Sequence, residues 1–284
     1  MPQEKYPLLK FELSPADEEK AVRTRTPIRQ PLPRQPGQSL VEQRRRLFDE
    51  RFDPLVTFTL CVIIWAGTAW HFWWQARPPT LMFVGLVSFI ALFSVGYTLH
   101  RGFGVTRESR RFTLGIEGER VVAASLDQLR QTGYEVLHDL LGEGWNIDHV
   151  VVGPAGIFTV ETKALRKPEK GPCVIQYNRT TIYANGATGY RNRDAWRQAK
   201  AQAHWLRKEL RQLMGEDHFI QPAILFPGWF IEQRQGPPFQ QPVWILNPDM
   251  FISHLLHHPR KLSTEQIRQL SCSLGRQFGE KPSA

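Results

Sequence analysis

Cysteine is scarce in this chain of 284 residues: Cys61, Cys173 and Cys272 are widely separated and odd in number. That excludes a disulfide framework and a paired-cysteine zinc site, and a reducing compartment suits them. Charge is absent from two whole stretches, since residues 55–74 and 80–99 contain no Asp, Glu, Lys or Arg. Each is long enough to cross a bilayer as a helix, because roughly 20 residues at ~1.5 Å rise span the ~30 Å hydrocarbon layer. A buried helical hairpin in a soluble domain is the alternative, and it suits runs of this length and apolarity poorly. Apolar periodicity is missing from residues 1–38, which are rich in Pro and charge and read as a flexible tail. There is no internal repeat, and Gly102-Phe103-Gly104 lacks the third glycine and the preceding strand of a dinucleotide-binding loop.

What is present divides the chain into unlike parts. His71, the one potentially charged group in the apolar runs, stands beside Trp70, Trp73 and Trp74 as an interfacial aromatic belt would place it. Only residues 75–79, with Pro78 and Pro79, separate the runs, so a tight hairpin is expected. Arg44, Arg45, Arg46 and Arg51 precede the first run and Arg101, Arg107, Arg110 and Arg111 follow the second, against Arg77 in the turn. The positive-inside rule then predicts a two-pass protein of the inner (cytoplasmic) membrane with both termini cytoplasmic. A cleavable leader is not expected, because the first apolar run starts late and a second follows at once. On that side the Asn178-Arg179-Thr180 sequon carries no glycan. The net charge of +9 favours acidic partners, anionic lipid or nucleic-acid phosphate, without choosing between them.

The expected organisation is a flexible cytoplasmic tail over residues 1–50, a two-helix transmembrane hairpin over 51–101, a basic linker over 102–113 and an α/β domain over 114–284. Residues 39–51 begin a short amphipathic helix leading into the hairpin. Inside the domain, helical spacing runs over 116–131, 192–214, 249–258 and 264–278. Strands are expected at 134–139, 146–152, 157–163, 173–177, 181–184, 220–226 and 243–246.

The chemistry is concentrated in one predicted β-hairpin. A turn at Gly153-Pro154-Ala155-Gly156 pairs Val152 with Ile157, which sets Asp148 opposite Glu161 and puts Lys163 on the same face one step further. Opposed carboxylates destabilise a sheet unless a cation lies between them, and a hard divalent ion with oxygen ligands fits. Glu-x-Lys alone means little, since an exposed cross-strand salt bridge also produces it. The conjunction with Asp148, apolar filling of both strands and a preceding helix bearing Glu117 and Glu119 favours a metal site.

These segments resemble the nuclease-related domain, a branch of the PD-(D/E)xK nuclease superfamily. The resemblance rests on Gly115-Ile116-Glu117-Gly118-Glu119-Arg120, on Asn146-Ile147-Asp148-His149-Val150-Val151-Val152, on Gly156-Ile157-Phe158-Thr159-Val160-Glu161-Thr162-Lys163, and on Gln198 in a later helix. It covers about residues 114–223; the tail and hairpin lie outside it, and the Asn-Pro that often precedes the glutamine is absent, with Arg193-Asp194 nearby instead. It implies a restriction-endonuclease-like mixed sheet flanked by helices. It also implies that Asp148, Glu161 and the Thr162 carbonyl bind Mg²⁺ or Mn²⁺, with Glu119 reaching the site directly or through water. Lys163 would orient or activate the attacking water, and Gln198 would hold a water or a phosphate oxygen.

The helix around Gln198 is basic: Arg191, Arg193, Arg197, Lys200, Arg207, Lys208 and Arg211 outnumber Asp194 and Glu209. Such residues contact phosphate without sequence choice, and a solvated helix face is the alternative for any one of them. His254, His257 and His258 have helical zinc spacing without a carboxylate partner. The expectation is a membrane-tethered nuclease acting on DNA, with RNA also open. A non-cleaving nucleic-acid-binding or scaffold protein is the rival, and a channel is disfavoured by the absence of intramembrane charge.

Overall fold

The structure is a computed structural model that describes residues 34–75, 80–142, 144–178, 181–185, 191–192, 194–232 and 238–278. Most of the expected tail, the turn at 76–79, part of the sequon and Arg193 lie outside the described residues. Helix α1 (Gln38–Arg51) starts at Gly37 in a left-handed conformation, φ 75°. A kink at Phe52, with Pro54 in the next turn, separates it from α2 (Asp53–Trp74). Helix α3 (Leu81–Asp127) is capped by the Thr80 hydroxyl, which accepts the Phe83 N–H at 3.4 Å.

Residues 102–113, expected as a linker, are instead the middle of α3. No proline occurs between residues 81 and 127, so nothing breaks the backbone ladder despite Gly102 and Gly104. The second apolar run and the first helix of the α/β domain are therefore one rod of 47 residues, about 70 Å long at the α-helical rise. Helices α2 and α3 run antiparallel, pinned by Thr59 to Thr98 at 2.7 Å and Trp70 to Ser88 at 2.8 Å. Both contain stretches long and apolar enough to cross a membrane.

The mixed sheet is ordered β1 (Glu135–Leu141), β2 (Asn146–Gly153), β3 (Gly156–Thr162), β7 (Ile220–Leu225), β9 (Trp244–Leu246). The first three strands form an antiparallel meander, and β3, β7 and β9 are parallel. Side-chain alternation separates two cores. Val150, Val152 and Ile157 pack on α4 (Asp194–Met214) and α6 (Thr264–Phe278) through Leu206, Leu210, Leu270 and Leu274. Val151, Phe158 and Val160 pack on α3 and α5 (Pro248–His257) through Val122, Leu126 and Phe251. A second small sheet joins β4 (Val174–Tyr177) and β5 (Ile182–Ala184) to two strands too short to show in the sequence pattern, β6 (Arg191–Asn192) and β8 (Phe230–Glu232).

Candidate active site

The β2–β3 hairpin has the register set by its turn, with Val152 opposite Ile157 and His149 opposite Val160. Just past the last pair, the Thr162 N–H donates to Asp148 Oδ2 at 2.8 Å, locking the two strand ends together. Glu161 points to the α4 side and is 4 % exposed. Its Oε1 accepts from Lys163 Nζ at 2.5 Å and from Gln198 Nε2 at 2.8 Å, and its Oε2 accepts from Gln202 Nε2 at 2.7 Å. Gln198 and Gln202 are one helical turn apart, so a single face of α4 reaches both carboxylate oxygens.

Glu119 arrives from α3. Gly118 makes this possible, because a Cβ there would lie 2.4 Å from the Ala164 Cβ just beyond β3. The helix can approach the strand end only without it, and the following residue then stands beside the hairpin acids. Burial, then Asp139 and Glu161, push the Glu119 carboxyl up to about 8, against the opposing pull of the Gly37 backbone amide and Lys163. Asp148 is likewise raised well above the usual carboxylate range by burial and by Glu161 and Glu119. Three acids thus share one ammonium, which is the charge pattern of a cation site.

Glu119 Oε2 is buried with no hydrogen-bond partner, and the donors are hard oxygens, as Mg²⁺ or Mn²⁺ requires. No three His, Cys, Asp or Glu side chains converge as a ready-made ligand set among the described residues, and Asp148 Oδ2 and both Glu161 oxygens accept protein donors. The charge fits, and the ligand geometry is not preassembled.

Several site residues were invisible to motif reading. Gln202 is 2 % exposed and also donates to the Asn146 carbonyl at 3.1 Å. Asp139 stands on β1 at the level of Asp148, between the pairs His138 with His149 and Leu140 with Ile147. It is wholly buried at φ 53° and accepts Asn146 Nδ2 at 2.8 Å. His149, its pKa depressed by burial and by His138, lies 3.2 Å from the Thr162 hydroxyl. His149 lies within the strand segment that carries the resemblance but had no role read for it, Asp139 belongs to no short motif, and Gln202, four residues from Gln198, shares its helix face.

The expected phosphate contacts are split. At ~100° per residue, Arg197 flanks the Gln198 side of α4, whereas Lys200 and Arg207 lie roughly half a turn away. Arg197 pairs with Asp194 at 3.2 Å, and Arg207 is held by Asp217. Arg191 is in β6.

Residues 114–227 match the family model described as nuclease-related domain. The chain carries a nuclease-related domain. No curated protein and no solved structure matches it. The matched segment of this nuclease-related domain begins inside α3 and ends after β7, so it includes Glu119, Asp148, Glu161, Lys163, Gln198 and Gln202. Both apolar runs, α1, α5 and α6 fall outside it.

Proposed function

We propose that the chain is a membrane-tethered, divalent-metal-dependent nuclease of the PD-(D/E)xK type that hydrolyses phosphodiester bonds of DNA. The observation that carries this reading is the burial of Glu119, Asp148 and Glu161 around Lys163. Mg²⁺ or Mn²⁺ would be held by Asp148, Glu161, Glu119 and the Thr162 carbonyl, and would supply polarisation of the phosphate and acidification of a water. Lys163, within 3.3 Å of Gln198 Oε1, offsets charge on the pentavalent phosphorus and orients the attacking water. Gln198 offers its amide to that water or to a phosphate oxygen, and Arg197 is the best-placed cation for the flanking backbone. In-line attack leaves a 5′-phosphate and a 3′-hydroxyl.

The tether reading is supported by the large apolar side chains that α2 and α3 leave exposed, among them Phe58, Ile64, Trp74, Met82, Phe89 and Phe93. A soluble core helix would bury them. Arg34, which precedes the hairpin, pairs with Asp139 of the domain at 2.7 Å. That pair suits a two-pass arrangement with both chain ends on one side, and the flanking arginines favour the cytoplasm as that side.

A non-cleaving nucleic-acid-binding role is the second reading, favoured by the protein donors that already occupy the Glu161 oxygens. The full chain in detergent micelles, given plasmid, linear duplex and single strands with Mg²⁺ or Mn²⁺, separates the two. Cleavage must vanish in both Glu161→Ala and Lys163→Ala; activity surviving in the pair removes the site assignment. Salt-sensitive binding without any cleavage by the wild type selects the second reading.

A further inference from the structure

We propose that Arg34, which precedes both apolar helices and lies outside the nuclease-related segment, is a positioning residue of the nuclease site, acting on Glu161 through Asp139, Asn146 and Gln202. The proposal rests on the nuclease reading of that site. Its basis is a run of hydrogen bonds that enters Asn146 through its side chain and leaves through its main-chain carbonyl. Arg34 Nε donates to Asp139 Oδ2 at 2.7 Å, and Asn146 Nδ2 donates to Asp139 Oδ1 at 2.8 Å. The Asn146 carbonyl accepts Gln202 Nε2 at 3.1 Å, and the same nitrogen donates to Glu161 Oε2 at 2.7 Å.

Asp139 is the point where the run is most exacting. It is fully buried and sits at φ 53°, a left-handed conformation uncommon for a residue with a Cβ, though Asp adopts it more readily than most. Arg34 is its ion-pair partner among the described residues, and a buried carboxylate stripped of its counter-ion rearranges to find another or to reach water. The Ser39 N–H adds a second bond to the same oxygen at 3.0 Å, and Arg34 Nη2 reaches Ser39 Oγ at 3.2 Å. The start of α1 is thus folded around Asp139. Gly37 supplies the left-handed turn, φ 75°, by which the chain enters α1 beside Ile116 of α3.

Release of this strap removes the counter-ion of Asp139. The Asn146 side chain loses the acceptor that fixes it, the first residue of β2 is free to shift, and its main-chain carbonyl, one of the two acceptors that orient the Gln202 amide on Glu161, shifts with it. A carboxylate that must be aimed within a fraction of an ångström is misaimed, while the surface that meets nucleic acid stays unchanged. The effect belongs in turnover, not in substrate binding.

The test uses the full chain in micelles, with Arg34→Ala, Arg34→Lys, Asp139→Asn and the double substitution. Single-turnover cleavage and substrate affinity are measured beside hydrogen exchange of the peptides covering 34–42 and 158–163. Arg34→Ala is expected to slow turnover by roughly tenfold or more with substrate affinity changed less than about twofold, as loss of outer-shell support commonly does. Arg34→Lys should recover part of that loss, and the double substitution should be no worse than the more damaged single. Faster exchange should appear in both peptides. Wild-type turnover in Arg34→Ala overturns the proposal, as does faster exchange confined to 34–42, which marks a strap that is docked but unconnected to β3. Should Arg34→Ala fail to fold, Arg34→Lys and Asp139→Asn decide by the same two measurements. A wild type that never cleaves overturns the nuclease reading instead, and the exchange coupling of the two peptides still decides whether Arg34 reaches Glu161.

Discussion

The apolar hairpin and the sheet of the nuclease-related domain are mirror images in where they put their side chains. On α2 and α3 the large apolar groups face outward, with Trp74 83 % and Met82 87 % exposed. In β2, Val150, Val151 and Val152 are fully buried. Polar groups show the reverse: Glu119, Asp139, Asp148, His149 and Glu161 are all buried in the domain. Apolar surface left outside suits the proposed membrane surround, and ionisable groups taken inside suit the proposed metal site.

Reversing one residue in each region breaks the comparison most sharply. Val151→Asp places an unpaired charge in the dry core and is expected to unfold the domain in micelles and membranes alike, by more than about 4 kcal/mol. Ile64→Asp should leave the domain folded and active in micelles, yet weaken bilayer insertion by roughly 3 kcal/mol. Thermal melts and carbonate extraction of the two variants check this; equal damage to the domain would merge the regions.

The buried acids predict a pH effect of opposite sign to an ordinary salt bridge. Glu119 is raised from 4.5 to about 8, so between those values the folded state keeps a proton that the unfolded state has released. Without divalent metal, stability therefore falls as pH rises through that window and levels off above it. Glu119→Gln should flatten the slope in melting curves. Added Mn²⁺ should raise the melting temperature more at pH 9 than at pH 6, because binding no longer has to displace protons.

Two smaller effects sharpen the picture. Gly118→Ala should cost about 1–3 kcal/mol in denaturant titration, since its methyl must push α3 off Ala164. Thr98→Val removes the Thr59 bond between the apolar helices, and a loss of only about 0.6 kcal/mol is expected in their association.

Much of the site could be read along the chain because its pieces are local. Asp148, Glu161 and Lys163 sit on one hairpin whose four-residue turn sets the register, and Gln198 lies on a helix whose period is plain. The continuity of α3 was not legible. Two glycines and a run of arginines resemble a linker, and only the packing of 81–127 at both ends makes the helix worthwhile. Asp139 and Gln202 were hidden because their partners are 7 to 105 residues away, and no window along the sequence joins them.

By itself the amino-acid order determined where the two apolar stretches lie, the pairing of the acid-bearing hairpin and the helices that cover it, because hydrophobic period and turn chemistry act over a few residues. Only the tertiary structure decided that α3 is one rod, that Gly118 brings Glu119 to the strand end, and that a segment ahead of the hairpin folds back onto Asp139. Those outcomes depend on which surfaces exclude water against each other, and burial is a property of the assembled chain, not of any stretch within it.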